Sequence, residues 1–296
     1  MVRDEKLDGL RAVGILCIIL AHVGAPNFLY QLRNFDVVLM VFLIGYVYTL
    51  TPSRTSYMGY IIKRFKRLII PTWVFLCILF VILFACGIDI TGEMVLHSYV
   101  MSDGAKGVGY VWVMRVFFLV ALISPILKRI VSIPHKYGTI CASYFIYEMI
   151  YCAGTRFLTG GIAEYFAGEY IYNLLGYGII CAFGMAWAVS EKKKRKIVYI
   201  ALVVIFAVCC VYNGFQPTQI AKRPPRIYYI SYGLIATCTL FFIAYYSKLG
   251  KWLFQNKFLV WIGQNSFWIY LWHIVPIKLI TYGIIVMVNY SCNTST

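Results

Sequence analysis

The chain has 296 residues, 61% of them hydrophobic and 13% charged, with a mean hydropathy of +0.78. A soluble domain is about a quarter charged, so this composition excludes one and indicates a polytopic membrane protein in a lipid bilayer. The net charge of +16 does not mark a nucleic-acid binder, because the basic residues fall in short loops between apolar runs.

Ten apolar runs are predicted as spans, roughly 9–25, 36–51, 68–87, 109–127, 137–153, 170–189, 197–213, 227–246, 258–274 and 276–290. Most come close to the twenty or so residues a helix needs to cross, and the short alternating segments of a barrel are missing. The expected fold class is all-α, a transmembrane helical bundle. The first run carries Arg11 and His22 and has no small-residue cleavage site, unlike a signal peptide. Segment 51–70 alternates Tyr60, Ile61, Phe65 and Leu68 with Lys63, Arg64, Lys66 and Arg67, and reads as a cytoplasmic surface helix on anionic lipid. Segment 88–108 is the most loop-like stretch on the outer side, a cap on a cleft or a plain connector. His97 and His135 fall in loops and are expected to be solvated. The ten cysteines form no C-x-x-C pair and read as packing residues, so neither a metal nor a disulfide framework is expected.

An even number of spans puts both termini on one side, and the Lys/Arg bias orients the chain. Eighteen basic residues fall on the side of the termini, including Arg64, Arg67 and the run 192–196. Seven fall opposite: Arg33, Lys106, Arg156, Lys222, Arg223, Arg226 and Lys278. Both termini are therefore expected in the cytoplasm.

Topology converts sequence position into depth. Arg11 and His22 have ten residues between them. Eleven steps of about 100° bring the side chains to one stripe, roughly 16 Å apart along the helix. Arg11, Arg64 and Arg67 gather at the cytoplasmic boundary. His22, Arg115 in the fourth run, Glu148 in the fifth and His273 in the ninth are expected to converge in the outer half. Ionisable groups inside a bilayer are costly and point to function. His22, Glu148 and His273 are thus candidate acid–base groups and Arg115 a candidate to hold substrate, although Arg115 and Glu148 could equally neutralise one another. A histidine in a dry pocket can act as a base toward a hydroxyl or carry an acyl group, and guanidinium forks suit phosphate oxygens. Acyl transfer from a cytosolic phosphorylated donor fits these residues. A carrier or exporter of an acylated or anionic metabolite would use similar ones, and a membrane scaffold would need none of them.

The motifs narrow this. Leu7-Asp8-Gly9-Leu10-Arg11 followed by His22, Arg64-Phe65-Lys66-Arg67, and Trp261-Ile262-Gly263 with Ser266-Phe267-Trp268-Ile269-Tyr270-Leu271-Trp272-His273 occur in order along the chain. They resemble the R-x10-H, R-x-x-R and late W-x-G…S-x-x-x-Y-L-x-H motifs of the acyltransferase-3 family, integral membrane O-acyltransferases of bacterial surface glycans. The resemblance implies one membrane acyltransferase domain over 1–296, in the bacterial inner membrane. The C-terminal esterase-like domain of some members is not expected. His22 would be the catalytic base or acyl carrier, with Arg11 shaping the site. Arg64 and Arg67, with Arg11 beside them, would bind the phosphates of acetyl-CoA, a co-substrate rather than a resident cofactor. The acceptor would be a glycan or lipid-linked sugar. Where members carry F-S-G in the second span, this chain reads Phe42-Leu43-Ile44-Gly45. The missing serine bears on the choice of acyl group or acceptor.

Overall fold

The structure, a computed structural model, describes residues 3–51, 56–102 and 107–280, and every regular element among them is helical. Helix α1 spans Glu5–His22, a short α2 Asn27–Leu32, α3 Asp36–Leu50, α4 Tyr57–Ala85 and α5 Gly92–Tyr99. Then come α6 (Trp112–Val131), α7 (Lys136–Phe157) and α8 (Gly161–Phe166). A π-helical turn, Ala167–Tyr172, runs into α9 (Asn173–Ala188), followed by α10 (Lys192–Tyr212) and α11 (Ile227–Tyr246). Three short helices follow: α12 (Lys248–Phe254), α13 (Lys257–Gln264) and α14 (Ser266–Trp272). Five stretches are long and apolar enough to cross a membrane: Asn27–Leu50, Tyr57–Ala85, Gly161–Ala188, Lys192–Tyr212 and Ile227–Tyr246.

The apolar runs expected at 36–51 and 227–246 coincide with α3 and α11. The basic segment enters the third run as one continuous helix, α4, whose Ser56 cap accepts from the Gly59 amide at 3.2 Å. Two other expectations are corrected. Segment 88–108 is not simply loop: Thr91 caps α5 by accepting from the Met94 amide at 3.1 Å. The run 258–274 is not one rod. It breaks at Asn265, whose side chain donates to the Trp261 carbonyl at 2.9 Å and competes with the helical backbone. It turns again at His273 before a helical stretch over 274–280. The last expected run, 276–290, lies mostly outside the described residues, as do Arg54, Lys106 and Cys292.

Glycines set how closely the central helices approach. Lipid is as apolar as leucine, so membrane helices associate through close packing of small residues. A Cβ on Gly45 would stand 2.0 Å from the Cys181 carbonyl oxygen, and one on Gly184 would stand 2.2 Å from that of Phe42. Backbone contact therefore locks α3 to α9. The same device locks α1 to the late segment, with Gly9 against Phe254 and Gly263 against Asp8. Helix α10 is peripheral: Leu202 and Cys209 are buried, while Ile200, Val204 and Val208 face outward, as on a lipid-facing surface.

Candidate active site

Helix α1 ends at His22, and the turn after α14 presents His273 to it. Nδ1 of His22 lies 2.9 Å from Nε2 of His273, with the two rings stacked at 5.1 Å. His273 Nδ1 hydrogen-bonds the Tyr270 carbonyl. A carbonyl only accepts, so with both rings neutral the chain of hydrogen bonds assigns the protons. His273 carries its proton on Nδ1 and accepts at Nε2. His22 donates from Nδ1, which leaves its Nε2 as the lone pair. The edge of Tyr110 closes on His22 at 4.6 Å between centroids, and the Tyr110 carbonyl accepts from the Tyr270 hydroxyl. His22 is half-buried and His273 buried.

His22 lines a cavity of about 380 Å³ together with Arg33, Asp36, Lys222, Arg223 and Lys278. Arg33 and Asp36 sit at the start of α3 and pair at 2.7 Å across one helical turn. Lys222 Nζ reaches the other Asp36 oxygen at 3.3 Å. Burial pulls the Lys222 ammonium below its ordinary pKa, and Asp36 opposes that shift. The segment carrying Lys222 is tied down: the Thr218 hydroxyl accepts from Gln31 at 2.9 Å and from Asn34 at 2.8 Å. Tyr147 donates to the Pro225 carbonyl at 3.1 Å, and Gly176 packs against the Pro225 ring. The Arg223 guanidinium stacks over Trp112 at 4.4 Å.

At the other end of α1, Asp8 is fully buried and accepts from Arg3 at 2.5 Å and Arg11 at 2.6 Å. Arg64 stacks over Tyr60 at 5.1 Å, and Arg67 lies within electrostatic reach of Arg64, Arg11 and Arg3. Two arginines thus hold the Asp8 carboxylate, and Arg67 stands within electrostatic reach of both. Among the described residues no group of three or more His, Cys, Asp or Glu side chains is placed to hold a metal ion.

A family model described as an acyltransferase domain matches residues 4–287. The chain belongs to the acyltransferase-3 family. No curated protein and no solved structure matches it. Two of the motifs of this acyltransferase-3 chain, far apart in sequence, meet through α1: its first turns pack on the W-x-G glycine, and its end meets the histidine of the late motif. Arg67 of the R-x-x-R motif lies within electrostatic reach of Arg11.

Two expected members stand elsewhere. Arg115 and Glu148 neither pair with each other nor line the cavity. Arg115 is buried and binds Glu169 at 2.6 Å, with Tyr170 under its guanidinium at 4.6 Å. Glu148 binds Arg226 at 2.7 Å and accepts from the Tyr144 hydroxyl, which in turn accepts from the Ile227 amide at 2.9 Å. The expected convergence of the four groups is therefore corrected to the pair His22 and His273. Helix direction fixes depth but not the rotation of a side chain about its axis. Arg11 stays at the far end of α1 from His22, as the stripe geometry requires. Sequence reading missed Asp8 as the partner of Arg11, although its spacing three residues earlier signals the pair. It also missed Arg33, Asp36 and Lys222 as one cluster. Asp36, among only 11 acidic residues, was the available signal.

Proposed function

We propose that this chain is a membrane O-acyltransferase that moves acetyl, or another short acyl group, from cytosolic acyl-CoA to a hydroxyl of an extracytoplasmic polysaccharide or glycolipid. The observation that carries this reading is the His22–His273 pair, with His22 on the wall of the cavity. His22 Nε2 takes the hydroxyl proton as the oxygen attacks the thioester carbonyl. The carbon–sulfur bond then breaks, and His22 returns the proton to the departing thiolate, giving an ester and free CoA. His273, held by the Tyr270 carbonyl, fixes the tautomer of His22 and shares the charge that develops on it.

Arg64, Arg67 and Arg11 grip the phosphates of CoA at the cytoplasmic end. Roughly 16 Å of α1 separates Arg11 from His22, so the two are stations along one donor path rather than a contacting dyad. Ten spans with both termini in the cytoplasm, in a bacterial inner membrane, complete the reading. It is supported by the distribution of basic residues along the chain.

The test is transfer of labelled acetyl from acetyl-CoA to surface glycan in cells expressing the wild type or His22→Ala, paired with CoA release by the purified protein. Removing a general base costs about two to four orders of magnitude in rate. Full labelling by a normally inserted His22→Ala protein would sink the mechanism. Flux of an acylated metabolite without CoA release would favour a carrier instead.

A further inference from the structure

The His22 cavity holds far more positive charge than a neutral sugar hydroxyl needs. Arg33, Lys222, Arg223 and Lys278 line it against the one carboxylate of Asp36. Both oxygens of Asp36 are already engaged, one by Arg33 Nη1 and one by Lys222. Arg33 is only 3% exposed, yet its Nε and Nη2 have no hydrogen-bond partner. Those two N–H groups form one edge of the guanidinium, the edge that takes two oxygens of an oxyanion side by side. Buried donors are ordinarily satisfied, and on a residue that lines a cationic cavity two such donors suit an oxyanion.

We propose that this cavity is an oxyanion site selecting an acceptor that bears a phosphate group, held by the Nε–Nη2 edge of Arg33 with Lys222 and Arg223 beside it. This rests on the reading of His22 as the base that activates the acceptor hydroxyl. The surplus of cations over Asp36 matches a phosphate better than the single charge of a carboxylate. The phosphates of the acyl donor are a poor match, because the pantetheine arm holds its thioester far from them. Here the cations share one cavity with His22. The phosphate could belong to a soluble sugar phosphate or to a lipid-linked sugar.

The test uses the full-length protein in nanodiscs and measures equilibrium binding, which needs no turnover. The probes are glucose phosphate, its neutral twin methyl glucoside, and glucose on a short polyprenyl phosphate. Saturable binding of either phosphate probe and none of methyl glucoside is expected, and the stronger phosphate probe identifies the source. Arg33→Lys keeps the charge, loses the two-pronged edge, and should weaken binding about tenfold or more. Arg223→Gln, away from the buried Arg33–Asp36 pair, should weaken it too and serves if Arg33→Lys does not fold. Binding of neither phosphate probe overturns the proposal, as do equal binding of methyl glucoside, unchanged binding by folded variants, or displacement of the probe by the adenosine bisphosphate half of CoA. Phosphate binding without CoA release by the wild type would instead remove the acyltransferase reading and leave the oxyanion site standing.

Discussion

A backbone carbonyl sets the protonation of the two histidines, and that makes their roles unequal. Tyr270 holds the proton of His273 on Nδ1, so His273 serves His22 and has no free nitrogen to offer a substrate. His273→Ala is therefore expected to lower kcat by about one to two orders of magnitude with little change in KM, since His22 keeps its own base but loses its orientation. Glu148→Gln gives the contrasting result. Glu148 ties α7 to the start of α11 through Arg226 and Tyr144, away from the cavity. Its loss should reduce stability by about 1–3 kcal/mol and leave the kcat of the folded fraction near wild type. Thermal unfolding in detergent alongside steady-state kinetics separates the two, and a kcat collapse in a stable Glu148→Gln protein would return that residue to the chemistry.

Helix α1 carries Arg11 at one end and His22 at the other, so its seating against the late segment decides whether either is in place. That seating depends on glycine. A Cβ at Gly263 would lie 1.8 Å from the Asp8 carbonyl oxygen, and backbone cannot give way as a flexible side chain can. Gly263→Ala is expected to cost about 1–3 kcal/mol or more in stability, and to lower activity further by shifting Asp8 and its arginines. Gly92→Ala is the matched control, because nothing lies within 4 Å of a Cβ there. Placed in the first turn of α5, that substitution should be neutral or slightly stabilising. Equal Tm losses for the two variants would show that the α1–α13 contact does not matter. The glycines of the motifs are in this sense packing residues, and Gly45 against Cys181 plays the same part for α3.

Across the whole molecule, two cationic sites sit at opposite ends of α1, and orientation in the bilayer decides which faces the cytosol. Helix α10 offers a direct test, with its basic start at Lys192–Lys196 and the exposed Phe215 just beyond its far end. With native cysteines replaced, an impermeant thiol reagent added to spheroplasts should label Phe215→Cys and spare Lys193→Cys. The reverse pattern would invert the topology and the donor path with it. Composition, run length and basic loops suffice to read a helical membrane bundle, because burying backbone in lipid permits few alternatives. The motifs carry the family for a related reason: Gly263 sits where a Cβ would meet backbone, and Arg11, His22 and His273 each hold a specific polar contact. What the sequence leaves open is rotation and long-range pairing. An ionisable residue announces a need for a partner without naming it, so Arg115 and Glu148 read as a pair when Glu169 and Arg226 hold them. The same holds for Arg33, Asp36 and Lys222, brought together from positions nearly 190 residues apart. Local spacing determines what lies on one face of a helix. Which faces meet is decided only when close-packed glycines and the tethered loop that carries Lys222 settle the helices against one another.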